Sequence, residues 1–143
     1  MSITLRPVFA TAIALSLLVT PALAEVLKFK ADLAGKSETP PNDSAATGMA
    51  DVSYDTDAKT LSWTITYSGL TGDAVAAHFH GPAAVGAKAP PVVPIEGNLK
   101  SPIAGTSTLT DQQAADLQNG LWYFNIHTAK YPDGEIRGQL TKQ

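Results

Sequence analysis

Apolar residues recur at every second position through most of this chain. Leu27, Phe29, Ala31 and Leu33 alternate with Lys28, Lys30 and Asp32, the pattern of a strand with one face on a core. Ala50, Val52 and Tyr54 resume the alternation, and Asp55 to Lys59 reads as a turn. The clearest strand follows, with Leu61, Trp63, Ile65 and Tyr67 on one face and Ser62, Thr64 and Thr66 on the other; the two runs predict a hairpin. Val75, Ala77 and Phe79 form the apolar side of a shorter strand whose other side carries Ala76, His78 and His80. Ile103 to Leu109, Trp122 to His127 and Glu135 to Leu140 complete the series, with a brief extended piece at Val92-Val93.

The interruptions are equally specific. Gly35 to Gly48, rich in Pro and small polar residues, and Ala83 to Pro94, with Pro90, Pro91, Pro94 and glycine-alanine-type steps, read as loops. Pro132-Asp133-Gly134 has the composition of a type I turn. One helix is predicted: Thr110 and Gln113 make a capping box, Asp111 sits in the first turn, and Asn119-Gly120 supplies the stop. About seven to nine short strands with regular turn signals predict an antiparallel sandwich or barrel.

Residues 1–24 do not fit this pattern. Arg6 precedes an apolar run from Val8 to Thr20, Pro21 breaks it, and Ala22-Leu23-Ala24 is an A-x-A cleavage site. The run of about 13 residues is short for a span of roughly 20. These features predict a secretory signal peptide cut after Ala24, a domain over 25–143, and a periplasmic or secreted location. The leader's one charged side chain is Arg6, so the mature chain carries 9 basic against 13 acidic residues, a charge of −4. That balance argues against nucleic acid as partner, and no second hydrophobic stretch argues for integral membrane insertion. The partner expected is an envelope or extracellular one. With no cysteine in the chain, neither disulfides nor thiolate ligands contribute, and any metal must be held by His, carboxylate, backbone oxygen or the single mature methionine, Met49.

All three histidines fall in two motifs, Ala77-His78-Phe79-His80-Gly81-Pro82-Ala83 and Asn125-Ile126-His127-Thr128. Period-two alternation puts His78 and His80 on one strand face, and His127 on a neighbouring strand would complete a three-nitrogen site suited to copper or zinc. Glu135 or Asn125 is the candidate for a further oxygen ligand or for an outer partner of a histidine. Asn125 and Arg137 are expected in a structural network, Arg137 tying loop carbonyls or carboxylates. The competing reading is metal-free, with each imidazole bonded to local backbone or side chains. Ser68 and Ser101 lack nucleophile-elbow features, and no phosphate-binding loop is present, so no catalytic residue is assigned and an enzyme is the weakest class. Trp63, Trp122 and Phe124 are expected in the core, while Tyr123 and Tyr131 are expected at the surface.

In order along the chain, Leu33-Ala34-Gly35, Glu38-Thr39-Pro40-Pro41, Ala46-Thr47-Gly48, Ser68-Gly69-Leu70, the His-x-His-Gly-Pro-Ala run, Asn125-Ile126-His127-Thr128 and Pro132-Asp133-Gly134-Glu135-Ile136-Arg137-Gly138-Gln139 resemble the CHRD domain, the module named after the extracellular protein chordin. Phe79, where a smaller β-branched residue is usual, and Ala89-Pro90-Pro91 depart from its pattern. The resemblance implies an extracytoplasmic, all-β protein, a Greek-key, immunoglobulin-like sandwich with one short helix, acting as a binding or structural module.

Overall fold

The computed structural model describes residues 24–143, so the expected leader lies outside the described residues apart from Ala24. Nine strands and one helix follow in the order β1 (Val26–Ala34), β2 (Thr47–Asp55), β3 (Thr60–Ser68), β4 (Ala74–His80), β5 (Pro91–Pro94), β6 (Ile103–Thr108), α1 (Asp111–Gln118), β7 (Tyr123–Thr128), β8 (Ile136–Gln139) and β9 (Thr141–Lys142). The helix has the expected origin. Thr110 accepts from the Gln113 backbone, Gln113 returns a bond to the Thr110 backbone, and Ala114 and Leu117 are buried.

The strands form one antiparallel sheet in the order β5-β4-β7-β8-β1-β2-β3-β6, with β9 on β1. The two separate sheets expected of a sandwich are therefore not what the pairing gives. Instead the sheet divides into two four-stranded halves joined between β8 and β1 by the single residue pair Ala34–Arg137. The C-terminal run changes halves at Leu140, since β8 pairs with β7 while β9 pairs with β1 through Phe29–Lys142 and Lys30–Thr141. A strand that switches partners in this way turns a corner and brings the halves face to face, close to a barrel.

Phe79 is the hub of the resulting core. Its fully buried ring meets Trp63 of β3 edge-on at 5.3 Å, Phe124 at 4.8 Å and Trp122 at 6.1 Å between centroids. Contacts from β3 to β4 thus cross between halves that the hydrogen-bond path sets far apart. Each such aromatic contributes about 1.5–3 kcal/mol through burial. The alternation seen in the sequence sets which face this is: Ala77 and Phe79 of β4, Phe124 and Ile126 of β7, and Ile136 of β8 all point inward.

The outward face of β4, β7 and β8 carries the chemistry. Register places His78, Asn125 and Arg137 in one row and His80, Tyr123 and Gln139 in the next, with His127 one step beyond, opposite Ala76. Two loops cover this face, so its polar residues are buried where alternation alone predicts exposure. Gln139 Nε2 donates to the Ala83 and Gly120 carbonyls, Arg137 reaches Thr39 and Ala87, and Thr39 Oγ1 ties the loops together through the Gly86 carbonyl.

Candidate metal centre

The three histidines converge. One ligand nitrogen from each of His78, His80 and His127 lies within 4.8 Å of the others, and the site is half-buried at His78 and His127 and buried at His80. His78 reaches His127 diagonally across the β4–β7 ladder, and their ring centroids are 5.0 Å apart. Four-coordinate zinc with bonds of about 2.0–2.1 Å needs nitrogens about 3.3 Å apart. The His78 Nδ1–His127 Nε2 separation of 3.2 Å already has that spacing.

The orientation of two of the rings has a local cause. His127 Nδ1–H donates to the Pro132 carbonyl at 2.9 Å, which leaves the lone pair of Nε2 facing His78. This contact comes from the Pro132-Asp133-Gly134 turn, so the turn chemistry of the sequence fixes a tautomer. His80 Nδ1–H donates to the Ala89 carbonyl at 2.9 Å. Its Nε2 lies 2.9 Å from the Asn125 side-chain amide, and its ring stacks on Tyr123 with centroids 4.7 Å apart and planes 3° from parallel. Arg137 lies over the same Tyr123 ring at 3.4 Å, so the tyrosine is held between a cation from β8 and an imidazole from β4.

Burial first, then the charges of the neighbouring histidines, holds the His78 imidazole below its ordinary value. His80 is also lowered, chiefly by burial; its bonds to Ala89 and Asn125 oppose the shift without overcoming it. Both rings therefore favour the neutral form that binds a metal. Asn125 turns its side-chain oxygen Oδ1 to His80 Nε2, so both ring nitrogens of His80 face oxygen acceptors. The other end of that amide lies beside Glu38, whose carboxyl is pushed up to about 7 by burial against the opposing pull of Arg137 and Asn125. Glu38, Asn125, His80 and the Ala89 carbonyl lie in one row, with the Asn125 amide nitrogen toward Glu38 and its oxygen toward His80, while the buried Glu38 Oε1 has no hydrogen-bond partner. Gly134 makes room for it: a Cβ there would collide with the Glu38 carboxyl and the Asn125 amide, and its φ of 128° is one that side chains disfavour.

Glu135 is not among the converging ligands, contrary to its candidacy as a ligand or outer partner. It is fully buried, and its two oxygens accept from Ser44 Oγ at 2.7 Å, Thr71 N at 2.9 Å, Thr71 Oγ1 at 2.8 Å and Thr128 Oγ1 at 2.6 Å. Burial acts to raise this carboxyl, but the hydrogen bonds together outweigh it and hold the group below its ordinary value. The carboxylate pins three segments of chain, and it does not pair with Arg137. Arg137 donates instead to Thr39 Oγ1 at 3.2 Å and to the Ala87 carbonyl at 2.7 Å. Tyr123, expected at the surface, is buried because the Ala89 loop closes over it: its hydroxyl donates to the Ala89 carbonyl at 3.2 Å and lies 3.3 Å from the Ala89 N–H. Tyr131 is half-buried, with its hydroxyl on Asp43.

Glu38 was not singled out in the sequence, where it sits among Ser and Pro with no periodic signal. Its importance comes from chain folding that brings residue 38 against residues 125 and 134. A recess of about 200 Å³ opens beside the cluster, lined by Glu38, Lys88, His80, His127, Asp133 and Arg137 among others.

Three imidazole nitrogens fit copper or zinc by donor type, and the tight pair fits by distance. Completing the set asks His80 Nε2 to leave Asn125 and close by about 1.5 Å. The family model of the CHRD domain matches residues 29–140. No curated protein and no solved structure matches the chain.

Proposed function

The chain belongs to the CHRD domain family, and from that premise we propose an exported binding module that holds one copper or zinc ion through His78, His80 and His127. The observation that carries the reading is the convergence of the three ring nitrogens within 4.8 Å, on a face where His80 and His127 are each oriented by a backbone carbonyl. The A-x-A sequence at 22–24 supports export to the periplasm or beyond, toward an envelope or extracellular partner. No helix among the described residues is long and apolar enough to cross a membrane. Copper is favoured over zinc by the general affinity order for nitrogen sites. The Greek-key, immunoglobulin-like description belongs to the same proposal; it is supported by the chain's repeated crossings from one half of the sheet to the other, at β3–β4, β5–β6 and β6–β7.

A second reading has its own observation. A single proton between His78 Nδ1 and His127 Nε2 makes a satisfied hydrogen bond at 3.2 Å without any ion, leaving a metal-free interaction module. An enzyme has less support, since Glu135 is committed to hydroxyls and is not free to act as a general base. Calorimetric titration of the metal-stripped protein with Cu(II) and with Zn(II), beside a His78→Ala/His80→Ala/His127→Ala variant shown to be folded by circular dichroism, separates the first two readings. Micromolar or tighter 1:1 uptake that the variant loses supports the metal site. No uptake, or equal uptake by the variant, leaves the metal-free module.

A further inference from the structure

Three imidazoles supply three ligands, and a four-coordinate ion keeps one position for something else. The recess of about 200 Å³ is where that position opens, because His80 and His127 both line it. At roughly 30 Å³ per water it holds a ligand of several heavy atoms and excludes a large one. Its walls select by charge. Lys88 and Arg137 contribute two cations and Asp133 one exposed anion, and a bound divalent ion adds two further positive charges. Glu38, the other acid in the wall, favours its neutral form up to a pH of about 7. The recess is thus net positive, while Thr39 and Ala87 hold the Arg137 guanidinium at its edge.

We infer that this recess is a subsite for a small anion, which takes the open coordination position of the ion held by His78, His80 and His127 and is drawn in by Lys88 and Arg137. The inference rests on the metal reading above. Lys88 is exposed and free to follow the ligand, whereas Arg137 is fixed by its hydrogen bonds and its stacking on Tyr123. Lys88 therefore acts as the adjustable part of the attraction, and Asp133, which also lines the recess, acts against it.

Azide is the probe. The purified protein is loaded with one equivalent of Cu(II) in chloride-free buffer and titrated with azide, following the azide-to-copper charge-transfer absorption and the copper electron paramagnetic resonance spectrum. Saturable spectral change is expected. Lys88→Ala should weaken azide binding about 3- to 10-fold and Asp133→Asn should strengthen it about 2- to 3-fold, both effects shrinking at high ionic strength. Opposite signs from two exposed positions are what a charge field gives and what a general structural disturbance does not. If copper is taken up but azide leaves both spectra unchanged, or if the two variants shift affinity in the same direction, the anion subsite is overturned while the metal site stands. If copper is not taken up at all, both readings fall together.

Discussion

His78 and His127 face each other across the β4–β7 ladder with Nδ1 and Nε2 3.2 Å apart, a spacing set by strand register and by the bond from His127 to the Pro132 carbonyl. Because this pair already has the separation a metal needs, it should dominate affinity. His127→Ala should cost on the order of 10²–10³ in Cu(II) affinity, about 3–4 kcal/mol. His80→Ala should cost roughly tenfold, since its nitrogen must first give up Asn125. Competition titration against a chelator of known affinity ranks the two. Equal losses from both variants would show that the ion sits elsewhere among the rings.

Uptake should also follow pH in a defined direction. Protons and metal compete for the same lone pairs, and burial lowers the proton affinity of His78 and His80. Copper uptake should therefore persist at pH 6.5, the ordinary imidazole value, and fall away only below it. Chelator competition at half-unit pH steps checks this. A midpoint above 6.5 contradicts the neutral, pre-set imidazoles described here.

Much of this arrangement was legible in the chain. Alternation located the strands, the Thr110–Gln113 pair located the helix start, and strand phase put His78 and His80 on one face. What alternation could not convey was the second coat over that face. Tyr123 lies on the outward side of β7, as its phase requires, yet it is buried because residues near 89 fold back across it. Glu38 is invisible for the same reason, since its partners are residues 125, 134 and 137, far along the chain. Glu135 reads as a ligand candidate because a carboxylate lies near a histidine motif, while the hydroxyls that hold it, from Ser44 and Thr71, lie more than sixty residues away. Periodicity reports which side of a strand a residue occupies; loop closure decides whether that side is wet.

Glu38 should shape the stability profile near neutrality. Its carboxyl is raised from 4.5 to about 7 in the folded chain, so the fold binds this proton more tightly than the unfolded chain does. The resulting stabilisation is complete below 4.5 and is lost as pH rises to about 7, above which the charged, buried group is a liability. Glu38→Gln keeps the shape and removes the charge. At pH 8 it should be more stable than the parent by about 1–2 kcal/mol after allowance for screening, with the advantage vanishing near pH 5. Urea unfolding of both proteins across pH 5–8 measures the difference, and a pH-independent gap would assign Glu38 a packing role alone.

Glu135 should act in the opposite direction at lower pH. Its carboxyl lies below the ordinary 4.5, so its contribution is present above that value and is lost as pH falls through the lowered folded one. The loss should be felt in three places at once, because Ser44, Thr71 and Thr128 all donate to the same group. Glu135→Gln leaves one acceptor oxygen and turns an N–H₂ toward hydroxyl and backbone donors, at a cost of about 2–4 kcal/mol. Hydrogen exchange distinguishes this from a general weakening of the core. The Thr71 amide, which donates directly to the carboxylate at 2.9 Å, should lose protection in the variant at neutral pH and in the parent once the carboxyl is protonated at low pH, while Phe79 and Ile65 amides in the strands keep theirs. Uniform loss of protection across the sheet would instead make Glu135 part of the global fold's stability, with no separate pinning of the loops.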